Sequence, residues 1–144
     1  MLKKICFVLV MLFAFGATAQ EVTDHLYHYK ANVVSIYDGD TIRSDLQLGL
    51  GIVKKNEPLR LYGINAPEVR GPEKIAGYAS RDYLREILKN HEVIIETLKD
   101  KKGKYGRYIA IIWVKGKGQW CELDTWCNVN DQLVKAGHAI YVEY

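Results

Sequence analysis

Three short segments hold most of the groups able to do chemistry: YDGDT (37–41), RLYGINAPE (60–68) and KYGR (104–107). Each falls at an expected strand end or turn, where a rigid scaffold presents reactive side chains. Together they supply what phosphodiester cleavage needs: charge to stabilise the transition state, a group to activate water, and oxygen ligands for a metal that polarises a phosphoryl oxygen. Arg60 and Arg107 suit the first task, because a planar guanidinium matches two phosphate oxygens and stays charged. Glu68 suits the second, orienting or deprotonating water. Asp40 suits the third, since hard cations take oxygen ligands.

Taken singly, each segment has a plainer reading. Asp38-Gly39-Asp40-Thr41 is more often only a hairpin turn. Lys101-Lys102-Gly103-Lys104 is usually a solvated tip. The weight lies in their joint occurrence and order. One local conflict needs a structural device. In a regular strand, alternation puts Arg60 with Tyr62 and Ile64 on one face and Asn65 on the other. Arg60 and Asn65 share a pocket only if the strand bends, and Gly63 is where a bend is tolerated. Pro67 then ends the ladder.

The elements that must position these groups follow from pattern. Ala31–Tyr37 is β-rich, Asp38-Gly39 is a turn signal, and Asp40–Leu48 reads as a second strand. Gly49–Glu57 reads as a glycine- and lysine-bearing turn, and Pro58–Ile64 as a third strand. Gly71-Pro72-Glu73 opens a helix, with proline tolerated in the first turn. Tyr83 with Ile87 and Leu84 with Leu88 give it i,i+4 apolar spacing, and Asn90 stops it. Glu92–Leu98 is a fourth strand, Asp100–Gly106 a turn, Arg107–Val114 a fifth strand. Val129–Ala136 is a short helix capped by Gly137. The expectation is an α+β, mainly β fold: a five-stranded OB-fold barrel with one helix between strands 3 and 4 and a short helix near the C-terminus. Fold alone does not give function.

Composition bounds the setting. Lys3 and Lys4, the apolar run Ile5–Phe15 and Ala17-Thr18-Ala19 form a secretory signal-peptide pattern, so residues 1–19 are expected to be removed and 20–144 to form one exported domain, periplasmic or secreted. The run is too short for a membrane span. The 144 residues carry 20 Lys+Arg against 17 Asp+Glu. Without Lys3 and Lys4 the balance is nearly neutral, so electrostatics must rest on local clusters. Cys121 and Cys127 are an even pair in an exported chain, the pattern of a disulfide, although spacing alone does not fix their geometry. A zinc site with His138 as third ligand lacks a fourth partner. Trp120 and Trp126 flank the cysteines and read as core anchors ahead of a surface for bases.

The sequence resembles the staphylococcal-nuclease-like (thermonuclease) family in IYDGDT (36–41), RLYGINAPE (60–68), KYGR (104–107) and VNDQLVKAGHA (129–139), which span most of residues 20–144 in order. The resemblance implies an OB-fold and calcium-dependent phosphodiesterase activity on DNA and RNA that leaves 3′-phosphate ends. It implies that Asp40 is a metal ligand, that Arg60 and Arg107 hold the scissile phosphate, that Glu68 is the general base, and that Lys104 and Tyr105 contact the nucleotide. Asn65 stands where a calcium-binding aspartate is usual, and Ala66 replaces a threonine whose backbone carbonyl serves as ligand. Asparagine keeps an oxygen and loses a charge, so one calcium ion is expected to bind more weakly. Tyr141 and Tyr144 either stack on a base or belong to a tail packed on the barrel. A monomer acting on single strands is expected, since an OB surface lets bases stack while phosphates meet basic groups. Two other functions compete. A nucleic-acid-binding module that has lost its chemistry would explain Asn65 but has no use for Glu68. A barrel binding a saccharide would leave the arginine pair a coincidence.

Overall fold

The computed structural model describes residues 26–143. The signal-peptide pattern at 1–19 and Tyr144 lie outside the described residues. The chain runs β1 (His28–Ile36), β2 (Thr41–Gly49), β3 (Ile52–Leu61), β4 (Ile64–Asn65), a 3₁₀ turn (Gly71–Glu73), α1 (Lys74–Leu88), β5 (Val93–Lys102), a second 3₁₀ turn (Lys104–Gly106), β6 (Tyr108–Lys115), β7 (Trp126–Asn128), α2 (Val129–Lys135) and β8 (Ile140–Tyr141). It is a mainly β structure. A six-stranded sheet has the order β3-β2-β1-β5-β6-β7, and β3 also pairs with β6. That pairing is parallel, with Arg60 opposite Ile109, whereas the neighbouring ladders are antiparallel. A separate two-stranded sheet joins β4 to β8.

Alternation decides which faces are buried. Ile42, Ser44 and Leu46 of β2, Val93, Ile95 and Thr97 of β5, and Ala110, Ile112 and Val114 of β6 point inward. Leu84, Ile87 and Leu88 of α1 and Val129 and Leu133 of α2 cover this core. Each such aliphatic side chain stabilises the fold by about 1.5–3 kcal/mol on full burial. In β1, Val33 faces Ser44 and Ser35 faces Arg43, so Val34 is an inserted residue. Such a bulge bends its strand just before the Asp38–Asp40 loop.

The structure departs from the sequence reading where strands leave the core. Gly49–Glu57, expected as a turn, is mostly strand: only Leu50-Gly51 turns, and β3 starts at Ile52. Asp100–Gly106 was likewise expected to turn, but β5 continues to Lys102. Both stretches are exposed, so no apolar alternation marks them as strand. The third strand does not run to Ile64; it stops at Leu61 and resumes as β4. With β4, β7 and β8 the described residues hold eight strands, three of them too short to leave a pattern. Of the two tryptophans, Trp120 packs against the core and Trp126 is exposed, so core anchoring holds for the first only.

Candidate active site

The bend between β3 and β4 builds the site. Gly63 takes φ +71°, a left-handed conformation that glycine adopts without steric cost. The chain turns there, and Arg60 and Asn65 meet, the guanidinium donating to Asn65 Oδ1 at 3.1 Å. Asn130 at the start of α2 holds this turn to β6. Its buried amide donates to the carbonyls of Tyr62 (3.0 Å) and Ala110 (3.2 Å) and accepts from Ile112 N–H.

Asp40 is the centre. Its carboxylate is 5 % exposed and collects three donors: Arg60 and the Thr41 hydroxyl each reach Oδ1 at 3.1 Å, and the Ala66 backbone N–H reaches Oδ2 at 2.7 Å. Asp38, also buried, accepts the Asp40 N–H at 3.0 Å and fixes the loop. Burial pushes the Asp40 carboxyl up to about 6, and Asp38 adds to the rise; the Ala66 N–H, Arg60 and Thr41 oppose it. Desolvation disfavours the charged form more than these partners restore it.

Arg107 follows β5 and the 3₁₀ turn. Its guanidinium donates to Thr41 Oγ1 at 3.1 Å. Thr41 therefore links the two arginines: it receives Arg107 and donates to the carboxylate that holds Arg60. Arg107 has no ion pair among the described residues, and its Nε is buried without a hydrogen-bond partner. An orphan buried donor is costly; it is closed to solvent, so an arriving anion would meet the terminal nitrogens of the same guanidinium. Tyr105, 88 % exposed, lies 5.5 Å from the Arg107 guanidinium carbon and takes φ +61°. Positive φ at a bulky residue is strained and concentrates at functional sites.

The structure thus brings together Asp40, Arg60, Asn65, Ala66 and Arg107. Glu68 sits three residues beyond Asn65 on the loop before α1, exposed; its side chain makes no hydrogen bond or ion pair among the described residues, and its backbone N–H reaches Glu73 at 3.4 Å. Lys104 is exposed on the 3₁₀ turn beside Tyr105. Tyr141 is elsewhere. It donates to Asp131 at 3.1 Å and lines a groove of about 790 Å³ with Tyr62 and Asn130 that contains neither arginine. Thr41, Asp38 and Gly77 were missed as site residues. The first two lie inside the YDGDT segment, whose composition signals them; Gly77, which packs on the Glu68 backbone, carries no sequence signal.

No group of three or more His, Cys, Asp or Glu among the described residues is arranged to hold a metal. The oxygens at hand are the Asp40 carboxylate, Asn65 Oδ1 and the Ala66 carbonyl. They are oxygens of the kind a hard cation takes, and in this structure both Asp40 oxygens and Asn65 Oδ1 accept hydrogen bonds that a cation would have to displace or share. Cys121 and Cys127, with Cα atoms 5.9 Å apart, are joined in a disulfide that closes the loop before β7.

Comparison with known proteins bears on this arrangement. Residues 58–144 match the family model of the staphylococcal nuclease homologues. The chain is 30 % identical over 131 residues to an uncharacterized protein of Methanocaldococcus jannaschii, covering 80 % of this chain and 60 % of that one. It is 31 % identical over 110 residues to a thermonuclease of Staphylococcus hyicus (74 % and 56 %) and 32 % identical over 85 residues to one of Staphylococcus intermedius (57 % and 47 %). The chain spans about half to three fifths of the length of these relatives. It belongs to the staphylococcal nuclease homologue family. Arg60, Asn65, Ala66, Glu68 and Arg107 fall within the matched span.

Proposed function

We propose that residues 20–144 form an exported, calcium-dependent nuclease that hydrolyses phosphodiester bonds of single-stranded DNA and RNA and acts as a monomer. The observation that carries this reading is the chain Arg60–Asp40–Thr41–Arg107, four groups from two strands and two loops linked at 3.1 Å per step, ending in a guanidinium with no ion pair among the described residues. A phosphate is the anion that fits a planar fork of this kind. The ring of pairings from β3 through β2, β1, β5 and β6 back to β3 supports an OB-type barrel as the scaffold.

In this reading Arg107 and Arg60 bind the scissile phosphate and stabilise the charge that builds on it. Arg60 must share its donors among Asp40, Asn65 and phosphate. Glu68, exposed and unpartnered, takes a proton from the attacking water, and the 5′-oxygen leaves, giving a 3′-phosphate. Asp40, Asn65 and the Ala66 carbonyl would hold calcium, which when bound supplies Lewis-acid polarisation of a phosphoryl oxygen. Lys104 and Tyr105 contact the nucleotide. Residues 1–19 direct export.

The test is incubation of the purified protein with labelled single-stranded DNA in calcium, magnesium or chelator. Calcium-dependent cutting with 3′-phosphate products is expected. Arg107→Ala should lower kcat about 100- to 1000-fold, the cost of one transition-state donor. Retention of DNA without cutting would replace this reading with a binding module. A folded Arg107→Ala protein of normal activity would remove the phosphate role.

A further inference from the structure

A cleft of about 540 Å³ opens beside Arg107 and Thr41 and contains none of Asn65, Ala66 or Glu68. It is lined also by Tyr37, Arg43, Pro58 and Tyr105. Its charged groups are two cations and no carboxylate: Arg43 donates to the Asn56 carbonyl at 2.9 Å and, like Arg107, has no ion pair among the described residues. Thr41 and Arg43 are two apart on β2, so they share a face with Cα atoms about 7 Å apart, and Arg107 is bonded to the first of them. Two exposed tyrosines flank this pair. Tyr37 is 49 % exposed, and its backbone N–H is tied to the Thr41 carbonyl at 3.0 Å, which fixes where its ring starts from.

We infer that this cleft is a subsite for one unpaired nucleotide adjoining the scissile phosphate, with Tyr37 stacking on its base and Arg43 holding its outer phosphate. The inference rests on the nuclease reading and adds a reason for a single-strand requirement. A flat ring stacks on any base, so the subsite is tolerant of sequence. A base paired in a duplex is stacked on both faces and cannot present one to Tyr37. Arg43, whose guanidinium among the described residues is hydrogen-bonded to one backbone carbonyl, gives up little to turn toward a phosphate.

Binding of a fluorescein-labelled thymidine octamer, followed by anisotropy in calcium, tests it in a Glu68→Gln background that limits turnover. Tyr37→Ala should weaken binding of the octamer about 5- to 100-fold and leave binding of a duplex of equal length unchanged. Arg43→Gln should flatten the slope of log affinity against log salt by about 0.7, one phosphate contact on a single strand. Tyr78→Ala, an exposed tyrosine on α1 outside the cleft, should change neither. If the protein binds the octamer and its Glu68 form cuts it, but Tyr37→Ala and Arg43→Gln bind as the parent does, the subsite is wrong and the nuclease reading stands. If Tyr37→Ala weakens binding and the Glu68 form never cuts, the subsite stands and catalysis falls. A parent that neither binds nor cuts overturns both.

Discussion

Gly77 lies in the second turn of α1, fully inside a helix, where replacement by alanine ordinarily stabilises by about 1 kcal/mol. Here the opposite is expected. A Cβ at 77 would overlap the Glu68 carbonyl and come within 2.7 Å of Val69 N. An ordinary van der Waals separation is about 3.5 Å, and the Glu68 carbonyl is the nearest group, so the backbone of residues 68 and 69 must retreat by more than about 1 Å. Val69 is buried and resists. Overpacking of this kind costs about 1–3 kcal/mol, which outweighs the gain in helix propensity. The shifted segment carries Glu68, and a displacement of about 1 Å at a reacting group costs on the order of 100-fold in rate. Gly77→Ala should therefore lower the urea midpoint and reduce kcat on single-stranded DNA about 100-fold, with octamer binding nearly intact. Ala76→Gly, one residue away on the exposed side, should cost about 1 kcal/mol and leave kcat alone. A Gly77→Ala protein as stable as its parent with unchanged kcat would refute both the close packing and the role of Glu68.

Three further outcomes follow from the same geometry. Asp40 has a folded pKa near 6 against 3.8 for the free side chain; its contribution is fully present below pH 4 and is lost as pH rises through 6, so the chelated protein should lose about 3 kcal/mol across that window. Urea melts in chelator should show this loss, and Asp40→Asn should abolish it. Asn65→Asp adds a charge to the proposed cation site and should lower the calcium needed for half-maximal cutting; an unchanged requirement would remove Asn65 from that site. Replacing Cys121 and Cys127 by serine opens a loop with a sequence separation of 6 and should cost about 2 kcal/mol without changing kcat, because none of the site's hydrogen bonds draws on that loop.

What the sequence made legible is what local chemistry controls. Gly63 marked the bend because no other residue in RLYGINAPE turns as cheaply, and the bend is what joins Arg60 to Asn65. The helix at 74–88 was readable because its apolar residues recur with helical spacing against a core, and that at 129–135 because Gly137 marks its end. The hairpin arms at 52–57 and 99–102 were not. They extend past the core, both faces meet water, and nothing in their composition separates strand from turn. Lys99 and Asp100 even carry positive φ within β5, a kink that lysine-rich composition does not announce.

The site was legible as a set of groups and not as a circuit. Asp40, Arg60 and Arg107 could each be chosen for its chemistry, but the bond between Thr41 and Arg107 spans 66 positions and depends on β3 pairing with β2 on one side and β6 on the other. Thr41 looked like the tail of a turn; the parallel register of Arg60 with Ile109 is what brings Arg107 to it. The consequence is functional. Arg60 is held by a carboxylate, an amide and the Leu61 carbonyl, whereas among the described residues the Arg107 guanidinium is hydrogen-bonded to one hydroxyl. Under the proposed function Arg107 would therefore be the arginine with least to give up to a phosphate, and the Thr41 hydroxyl would be the group that couples its occupancy to Asp40.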